Sequence, residues 1–439
     1  MQSKLFFRLF VVLIATLTGI VSLAQNVKTY TLDEAISEAY KYNSDLVNAR
    51  FDKLKAAKKV SEVYSENLVP NISLSSQYIR AFKKPVFDIF GQKYEIGTDN
   101  QITNSVNVTQ SIPILGTPVF QGIRIAEFYE NLQSENVSAV ANKVKSGVKK
   151  SFYNVLFLKN VVEVNKLSLN NASENLSVVE TRYKNGVETE FNFLRAKVRV
   201  EQIKPELAQS ENNLSIAKKY LKNAIGIKSS AEIDAAGLLT YDSTEVHGNT
   251  DDILKKIAEN NVSVRQLNIN QRINKELIDV VNADYLPKFY VFGQYQLAAT
   301  ENDDRGLTNY RYFNVLNAGI GLSWNLNFFK NTFKKRQSEI DLKKTDETIY
   351  DVKQKLTLLG QSIIQRMDEA KKRLIAQSEN IKLAERGYQL ASISLRNGVI
   401  NQIDVQDAEF FLNQTKLGYN QAIFDYQTAK AELEELLEK

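Results

Sequence analysis

Polar and apolar residues alternate in four short stretches of the chain, two in each half. In the first stretch, the apolar residues Ile72, Leu74 and Tyr78 are separated by polar ones. Such alternation is typical of a β-strand with one apolar face. The predicted strands cover about 71–79, 104–112, 288–296 and 317–327, each close to the roughly 9–11 residues that cross a membrane. The pattern therefore predicts four strands, each with one apolar face.

Each pair of strands is followed by a long segment without proline, and both segments predict an unusually long helix. The first helix is predicted from Pro118 to Lys184 and the second from Phe329 to Arg396. At 1.5 Å per residue, each would be about 100 Å long. An Asn-Gly pair follows each segment, and glycine commonly ends a helix in the left-handed conformation. Helices of this length that carry Lys and Glu throughout must pack against other long helices.

Shorter helices are predicted before the strands and after the Asn-Gly turns. Thr31 and Glu34 form the S/T-x-x-E capping box that begins the first of them. The second contains Pro205, which is expected to kink or break it. The predicted ranges are about 31–67, 189–224, 251–283 and from the second turn to about 438. The segments 83–99 and 302–306, between strands, are predicted to be exposed loops.

The chain repeats itself. Asn185-Gly186-Val187 recurs as Asn397-Gly398-Val399, 212 residues later, and both copies have Ala ten residues after the Gly. A second pair of anchors, Pro70 and Pro287, precedes the first strand of each half at nearly the same offset, 217 residues. Two independent anchors predict a duplication. It divides the chain into a first repeat at 25–226, a linker at 227–250 and a second repeat at 251–439.

The N-terminal residues 1–24 have the pattern of a secretory signal peptide. Lys4 and Arg8 precede a short apolar run, and Ser22-Leu23-Ala24 places small residues where cleavage before Gln25 would need them. An N-terminal membrane anchor is the alternative, but the run is shorter than the roughly 20 residues that span a bilayer. After this segment, no comparable apolar run occurs, so any membrane-spanning part is expected to be β.

Composition narrows the possible functions. The chain has no cysteine, and His247 is its only histidine. Disulfides, Cys–His nucleophiles and histidine bases are therefore excluded, and no catalytic residue, cofactor or metal site is predicted. Loss of the signal peptide removes two positive charges, so the net charge falls from +5 to +3. This near-neutral balance and the absence of a basic tract argue against a nucleic-acid partner. A periplasmic enzyme is thus disfavoured.

The number of strands implies an assembly. Four strands cannot close a barrel, and open strand edges are not tolerated in lipid. The smallest membrane barrels have eight strands. Several chains must therefore contribute to one barrel, although counting strands does not give their number.

These features resemble the TolC family of outer-membrane efflux proteins, over nearly the whole mature chain. The motifs that carry the resemblance are the start Thr31-Leu32-Asp33-Glu34-Ala35, the turn Tyr183-Lys-Asn-Gly186 with Leu194 and Ala196, and the turn Arg396-Asn-Gly398 with Asp404, Tyr419, Ala422, Asp425, Tyr426 and Leu433. Their order and doubled spacing make the resemblance specific.

The resemblance implies a mainly α fold with a membrane β-barrel: a homotrimer with a 12-stranded barrel and a long periplasmic helical barrel. It places the protein in the bacterial outer membrane, in contact with lipid, a periplasmic adaptor and an inner-membrane pump of the RND or ABC type. The implied function is a passive exit duct for small molecules in a tripartite efflux pump, with 226–249 as a collar. A type I protein secretion channel and a structural coiled-coil periplasmic protein are the alternatives.

The resemblance also implies a pore aperture after the second turn. The acidic positions there correspond to Asp404 and Asp407, which would place six carboxylates around the aperture of a trimer. The alternative is a plain helix start, with Asn401 as N-cap and Asp404 in the first turn. Asn192 and Arg195 occupy the matching sites of the first repeat, so acidity is confined to one copy.

The closed aperture in many family members is held by a Tyr and an Arg, at positions that correspond here to Leu395 and Ile400. Apolar contacts of these two residues, or Arg396 as a substitute cation, are therefore predicted to hold the closed state. The turns Asn185-Gly186-Val187 and Asn397-Gly398-Val399 are predicted to contact the adaptor. Ordinary helix capping is the alternative role of both turns.

Aromatic residues cluster near the strands of the second half. They could form girdles at the two lipid interfaces or pack into a core. The residues are Phe289, Tyr290, Phe292, Tyr295, Tyr310, Tyr312, Phe313, Trp324, Phe328 and Phe329.

Overall fold

The computed structural model of the protein describes residues 27–114, 116–241, 249–302 and 306–438. The predicted signal peptide lies outside these residues, as do 242–248 of the predicted linker and 303–305 of the predicted loop. The elements follow the chain as β1 (Lys28–Tyr30), α1 (Leu32–Tyr42), α2 (Ser44–Leu68), β2 (Asn71–Arg80), β3 (Val86–Ile89), β4 (Gln92–Glu95), β5 (Asn100–Ser111), α3 (Val119–Lys184), α4 (Glu190–Ile225), β6 (Ile233–Ala235), α5 (Thr250–Asn260), α6 (Val262–Ala283), β7 (Lys288–Glu301), β8 (Tyr312–Ser323), α7 (Phe328–Arg396) and α8 (Gln402–Leu437). The predicted order of helix, two main strands, long helix and helix is confirmed in both repeats.

The helices before the strands each break at an asparagine, which the sequence patterns did not predict. Asn43 has an extended backbone between α1 and α2, and its Oδ1 accepts from the backbone N–H of Asp45. Its Nδ2 donates to the carbonyl of Ala224, at the end of α4, across 2.9 Å. Asn261 separates α5 from α6 and accepts from the N–H of Ser263. An asparagine side chain that competes for backbone partners explains both breaks.

Pro205 does not break α4, so the predicted break is wrong, whereas the predicted kink stays a prediction. The helix runs from Glu190 to Ile225 through this residue. A proline removes one N–H donor and crowds the preceding turn. Packing offsets that cost, because Val200 and Ile203 are buried against Ala172 of α3.

The four long strands form one antiparallel sheet, in the order β2-β5-β7-β8. Ile72 lies opposite Val108 at one end of the β2–β5 pair, and Arg80 lies opposite Asn100 at the other. The strands β2 and β8 lie at the two edges, so each pairs on one side only. Many apolar side chains of these edge strands are exposed in the single chain, among them Leu74 and Ile320.

Several predicted bounds around the sheet are wrong, since β5 begins at Asn100 and not at about 104, and β7 ends at Glu301 and not at about 296. The strand predicted at 317–327 is β8, Tyr312–Ser323, because β7 extends to Glu301 and pairs with β8 from Ala299–Tyr312 to Lys288–Ser323. Beyond Ser323, β7 offers no further partner. The segment predicted as a loop at 83–99 contains the hairpin β3–β4, in which Phe87 lies opposite Tyr94.

The described chain divides into two compact units. One contains the described residues up to Val47, with those of Val140–Ile257 and Thr357–Glu438. The other contains Asn48–Ala139 and the described residues of Ala258–Leu356, and therefore the whole sheet. Among the described residues, no helix is both long and apolar enough to cross a membrane.

Neighbouring long helices of the first unit are antiparallel, as their polar contacts establish. Lys150 of α3 pairs with Glu432 of α8 at 2.9 Å, and further along α3 the Asn160 amide donates to Asn420 across 3.0 Å. Helices α7 and α8 are also antiparallel, because Arg373 pairs with Asp425 (2.7 Å) and, further along α7, Glu385 pairs with the earlier residue Lys416 of α8 (3.0 Å). The first unit is thus a set of antiparallel helices joined by cross-helix ion pairs.

The described part of the predicted linker is anchored to these helices. Strand β6 lies within it and pairs in parallel with β1. Asp234 of β6 accepts from Lys159 of α3 at 2.9 Å and from Lys218 of α4 at 3.2 Å. Burial alone would raise the pKa of Asp234, but the hydrogen bonds from the two lysines hold it below its usual value.

Candidate functional site at the helix turns

The two Asn-Gly turns have the same backbone geometry. Gly186 and Gly398 have φ values of +73° and +72°, in the left-handed region that glycine tolerates best. The N–H of each glycine donates to the carbonyl three residues earlier, and the N–H of each following valine donates five residues back. This is the Schellman pattern of helix C-termini. Both turns are therefore built by local backbone chemistry.

The predicted adaptor-contact residues of both turns are exposed. Val187 is 64% exposed and Val399 is 75% exposed, so each turn presents an apolar side chain to its surroundings. The structure thus leaves both triplets accessible, and their contact with an adaptor stays a prediction.

Asp404 and Asp407 are both exposed in the first turns of α8. The Oδ2 of Asp404 accepts a hydrogen bond from the backbone N–H of Asn401 across 3.0 Å, as expected of a helix-start residue. This contact uses one carboxylate oxygen and leaves the other oxygen of the exposed group accessible. Within the described residues, no cluster of three or more His, Cys, Asp or Glu side chains could hold a metal ion.

The matching positions of the first repeat have different chemistry. The Asn192 amide donates to Glu188 across 2.8 Å. The Arg195 guanidinium lies 4.7 Å from the ring centre of Phe191, as a cation–π pair does. At these two matching positions, the first repeat therefore has an amide and a cation, and the second repeat has two carboxylates.

Arg182 joins the two turns, a role that the sequence interpretation did not assign. Its Nη1 donates across 2.8 Å to the carbonyl of Leu395, in the last turn of α7. Its Nε lies 3.7 Å from a carboxylate oxygen of Glu188. Of the predicted gate residues, Leu395 is only 3% exposed, Ile400 is half-buried and Arg396 is exposed. Arg182 is thus a cation that links the two turns within the chain, and the role of Arg396 in the closed state stays a prediction. Ser394 occupies the position of Arg182 in the second repeat, and this difference between the copies could have drawn attention to Arg182.

A second unpredicted group is the buried carboxyl of Glu409. Ser168 of α3 donates a hydrogen bond to it across 3.1 Å. Burial raises the pKa of Glu409 above its usual value, against the opposing effects of the Ser168 hydrogen bond and the charge of Arg199. Lys197, 212 residues earlier, is the matching residue of the first repeat and is exposed. Comparison of the two copies could therefore have drawn attention to Glu409.

The chain combines an antiparallel sheet that has two open edges with two copies of a unit that contains a very long helix. This combination is typical of the subunits of outer-membrane channels. The chain matches the family model described as outer membrane efflux protein over residues 35–227 and 253–438. It belongs to this family and is thus a protein of the bacterial outer membrane. A comparison with curated protein sequences gave no match.

Solved structures of outer-membrane channels have the same fold. The OprN channel aligns with a TM-score of 0.75 and 13% identity, over 93% of this chain and 90% of its own. The outer membrane protein VceC of Vibrio cholerae aligns with a TM-score of 0.72 and 12% identity, over 93% and 96%. The MtrE channel of Neisseria gonorrhoeae aligns with a TM-score of 0.73 and 14% identity, over 92% and 88%. At these identities, the likeness concerns the fold alone.

Proposed function

We propose that the protein is the outer-membrane exit duct of a tripartite efflux pump and passes small molecules outwards without doing chemistry on them. Three copies would form a 12-stranded barrel. A periplasmic adaptor and an inner-membrane pump of the RND or ABC type would deliver the cargo. The proposal extends the family's efflux-channel role to a particular assembly and cargo class.

The open edges of the sheet are the observation that carries this proposal. Strands β2 and β8 each pair on one side, so a row of backbone N–H and C=O groups on the other side needs partners. Lipid offers none, and closure with further strands is the solution that membrane proteins use. The β8 edge of one chain would pair with the β2 edge of the next.

The exposed apolar residues of the sheet support the same arrangement. Ile72 and Leu74 of β2, and Leu316 and Ile320 of β8, are among its most exposed large side chains. A soluble sheet would normally cover such a surface. A lipid contact and a neighbouring subunit would together account for it.

The aperture of the duct would lie at the helix turns. Asp404 and Asp407 would line it, and a ring of such carboxylates would enrich cations and repel anions. Arg182 would hold the two turns of each chain together in the closed state. The exposed Val187 and Val399 would give the adaptor an apolar contact at each turn.

The first experiment is single-channel recording in a planar bilayer, with the oligomer mass of the detergent-extracted protein measured on the same sample. The expected result is a trimer that forms cation-selective pores. A monomer that stays soluble without detergent and gives no current would contradict the duct. Current from an assembly of another size would keep the channel and contradict the trimer.

A further inference from the structure

The junction between the sheet and α7 contains a small polar cavity. Its volume is about 130 Å³. Its lining includes Asp284, Lys288, Asn325, Lys330, Asn331 and Lys334. The cavity is held in place by Asn331, whose buried amide donates to the carbonyl of Asp284 across 3.0 Å. The cavity therefore lies where the last strand meets the long helix.

Cations outnumber anions in this cavity. Lys288 lies 3.1 Å from one carboxylate oxygen of Asp284, and Lys334 lies 4.0 Å from the other. Lys330 is a third lining cation, and Asp284 is the only acid among the lining residues. Lys335 and Arg336 follow on the same helix. Three ammonium groups that face a single carboxylate leave excess positive charge for an anion.

Exposed aromatic residues adjoin the lining residues along the chain: Phe329 precedes Lys330, and Phe333 precedes Lys334. Phe329 is 86% exposed and Phe333 is 60% exposed, and their four-residue spacing places them on one face of α7. Trp324 is also exposed, and its indole N–H donates to the carbonyl of Tyr285 across 3.2 Å. Aromatic rings beside lysines are typical of a protein surface at the level of lipid headgroups.

The first repeat lacks this arrangement at its own junction between strand and long helix. No lysine or arginine occurs from Ile112 to Ile123. The first cation, Arg124, is paired with Glu276 at 2.8 Å. If the fold required cations at the junction between strand and long helix, both repeats would have them. The cluster in the second copy therefore points to a separate role.

We infer that the cavity binds the phosphate of an anionic phospholipid headgroup, with Phe329 and Phe333 in contact with its acyl chains. Lys330 and Lys334 would bind the phosphate, because an ammonium cluster matches a lipid headgroup in charge. A lipid is favoured over a free anion because the exposed residues Phe329 and Phe333 immediately precede Lys330 and Lys334 on the same helix. The inference depends on the proposed membrane position of the sheet.

Lipid binding can be measured by native mass spectrometry of the detergent-extracted protein. Dioleoylphosphatidylglycerol is added, with dioleoylphosphatidylcholine as the uncharged comparison. We expect preferential binding of phosphatidylglycerol, weakened roughly tenfold by the double variant Lys330→Gln and Lys334→Gln. The matched control is Lys343→Gln with Lys344→Gln, which removes the same charge from exposed positions further along α7. It should bind lipid as the unmodified protein does.

A further variant and a phosphate competitor distinguish the possible results of this experiment. Lys330→Arg with Lys334→Arg should retain binding, because the charge is kept. Equal loss in the two Gln variants would overturn the site, and so would displacement of the lipid by millimolar inorganic phosphate. The oligomer masses in the same spectra separate this inference from the proposed function. Intact oligomers without lipid preference would refute the lipid site alone, whereas oligomers lost only in the Lys330/Lys334 variant would identify a subunit contact instead.

Discussion

The two repeats build the same turn with the same backbone hydrogen bonds, but they differ at two matching positions of the helix that follows it. Gly186 and Gly398 differ by one degree in φ, and the same hydrogen bonds close both helices. After the first turn come an amide and an arginine, and after the second come Asp404 and Asp407. A duplicated chain can thus keep a structural device in both copies while one copy acquires a separate function.

The two repeats also differ in what each contributes to the hydrogen bond that joins their turns. Arg182 of the first copy bonds the carbonyl of Leu395 in the second, and the second copy supplies no matching arginine from Ser394. The link is therefore one-sided. Variants that remove one copy's contribution can separate the role of each.

Removal of the cross-turn link should have the largest effect. Arg182→Gln loses the bond to Leu395 and the contact with Glu188. A hydrogen bond from a charged donor is worth about 1.5–3 kcal/mol, so the link should weaken by about 2 kcal/mol. Amide hydrogen exchange at residues 397–399 should accelerate, and the closed-state current should rise. Lys184→Gln, which removes an exposed cation beside the first turn, is the control. Equal effects of the two variants would show that the link is not specific.

Loss of the second copy's carboxylates should change selectivity. Asp404→Asn with Asp407→Asn is expected to lower the cation-to-anion permeability ratio by about tenfold, because charged rings concentrate counter-ions. The ratio is read from the reversal potential in a salt gradient. The control, Glu180→Gln with Glu190→Gln, removes two acids beside the first turn and should leave selectivity unchanged. If selectivity survives in the Asp404/Asp407 variant, the aperture is elsewhere.

The turn glycines should be equally sensitive in the two copies. Gly186→Ala and Gly398→Ala each force an alanine into the left-handed region, at about 1 kcal/mol. Both variants should therefore lower the unfolding temperature by similar amounts. Gly387→Ala, within α7 and with open space around it, should be neutral or stabilising. A large difference in unfolding temperature between the two turn variants would mean that the two turns contribute unequally to stability.

The smallest effect is expected at Glu409. Its folded-state pKa lies above the unfolded one, so its stabilising contribution is complete below the unfolded pKa and is lost as pH rises through the folded pKa. Glu409→Gln should remove this dependence and raise stability at neutral pH by less than about 1 kcal/mol. Thermal unfolding from about pH 4 to pH 8 measures it.

Lys197→Gln is the matched control for Glu409, since it changes the exposed counterpart in the first repeat. It should leave the pH dependence intact. The groups around Glu409 are Ser168 on α3, Tyr388 on α7, Arg199 on α4 and Asn413 on α8 itself. An unchanged pH profile in Glu409→Gln would assign the dependence to another group.

Much of the fold was predictable because its signals are local. The alternation near Ile72 and Leu74 located β2, and the glycines marked both helix ends. Errors arose where a distant partner decides the outcome. β8 follows the extent of β7, and α4 passes through Pro205 because it packs on α3.

The candidate site was predicted in part. Both turns followed from their Asn-Gly motifs, and the pore role of Asp404 and Asp407 stays a prediction. Arg182 was overlooked because its role depends on a carbonyl 213 residues away. Glu409 was overlooked because nothing in its local sequence indicates burial.

The sequence alone therefore determined the duplication, the long helices, the strands with their apolar faces and the two left-handed turns. Each depends on residue spacing or on one residue's backbone preference, which act over a few neighbours. Only the tertiary structure decided which strands lie at the sheet's edges, the Arg182 link, the burial of Glu409 and the lysine cluster around Asp284. Those features depend on which groups distant in sequence come within a few ångströms, and hydrogen bonds and direct packing form only at that range.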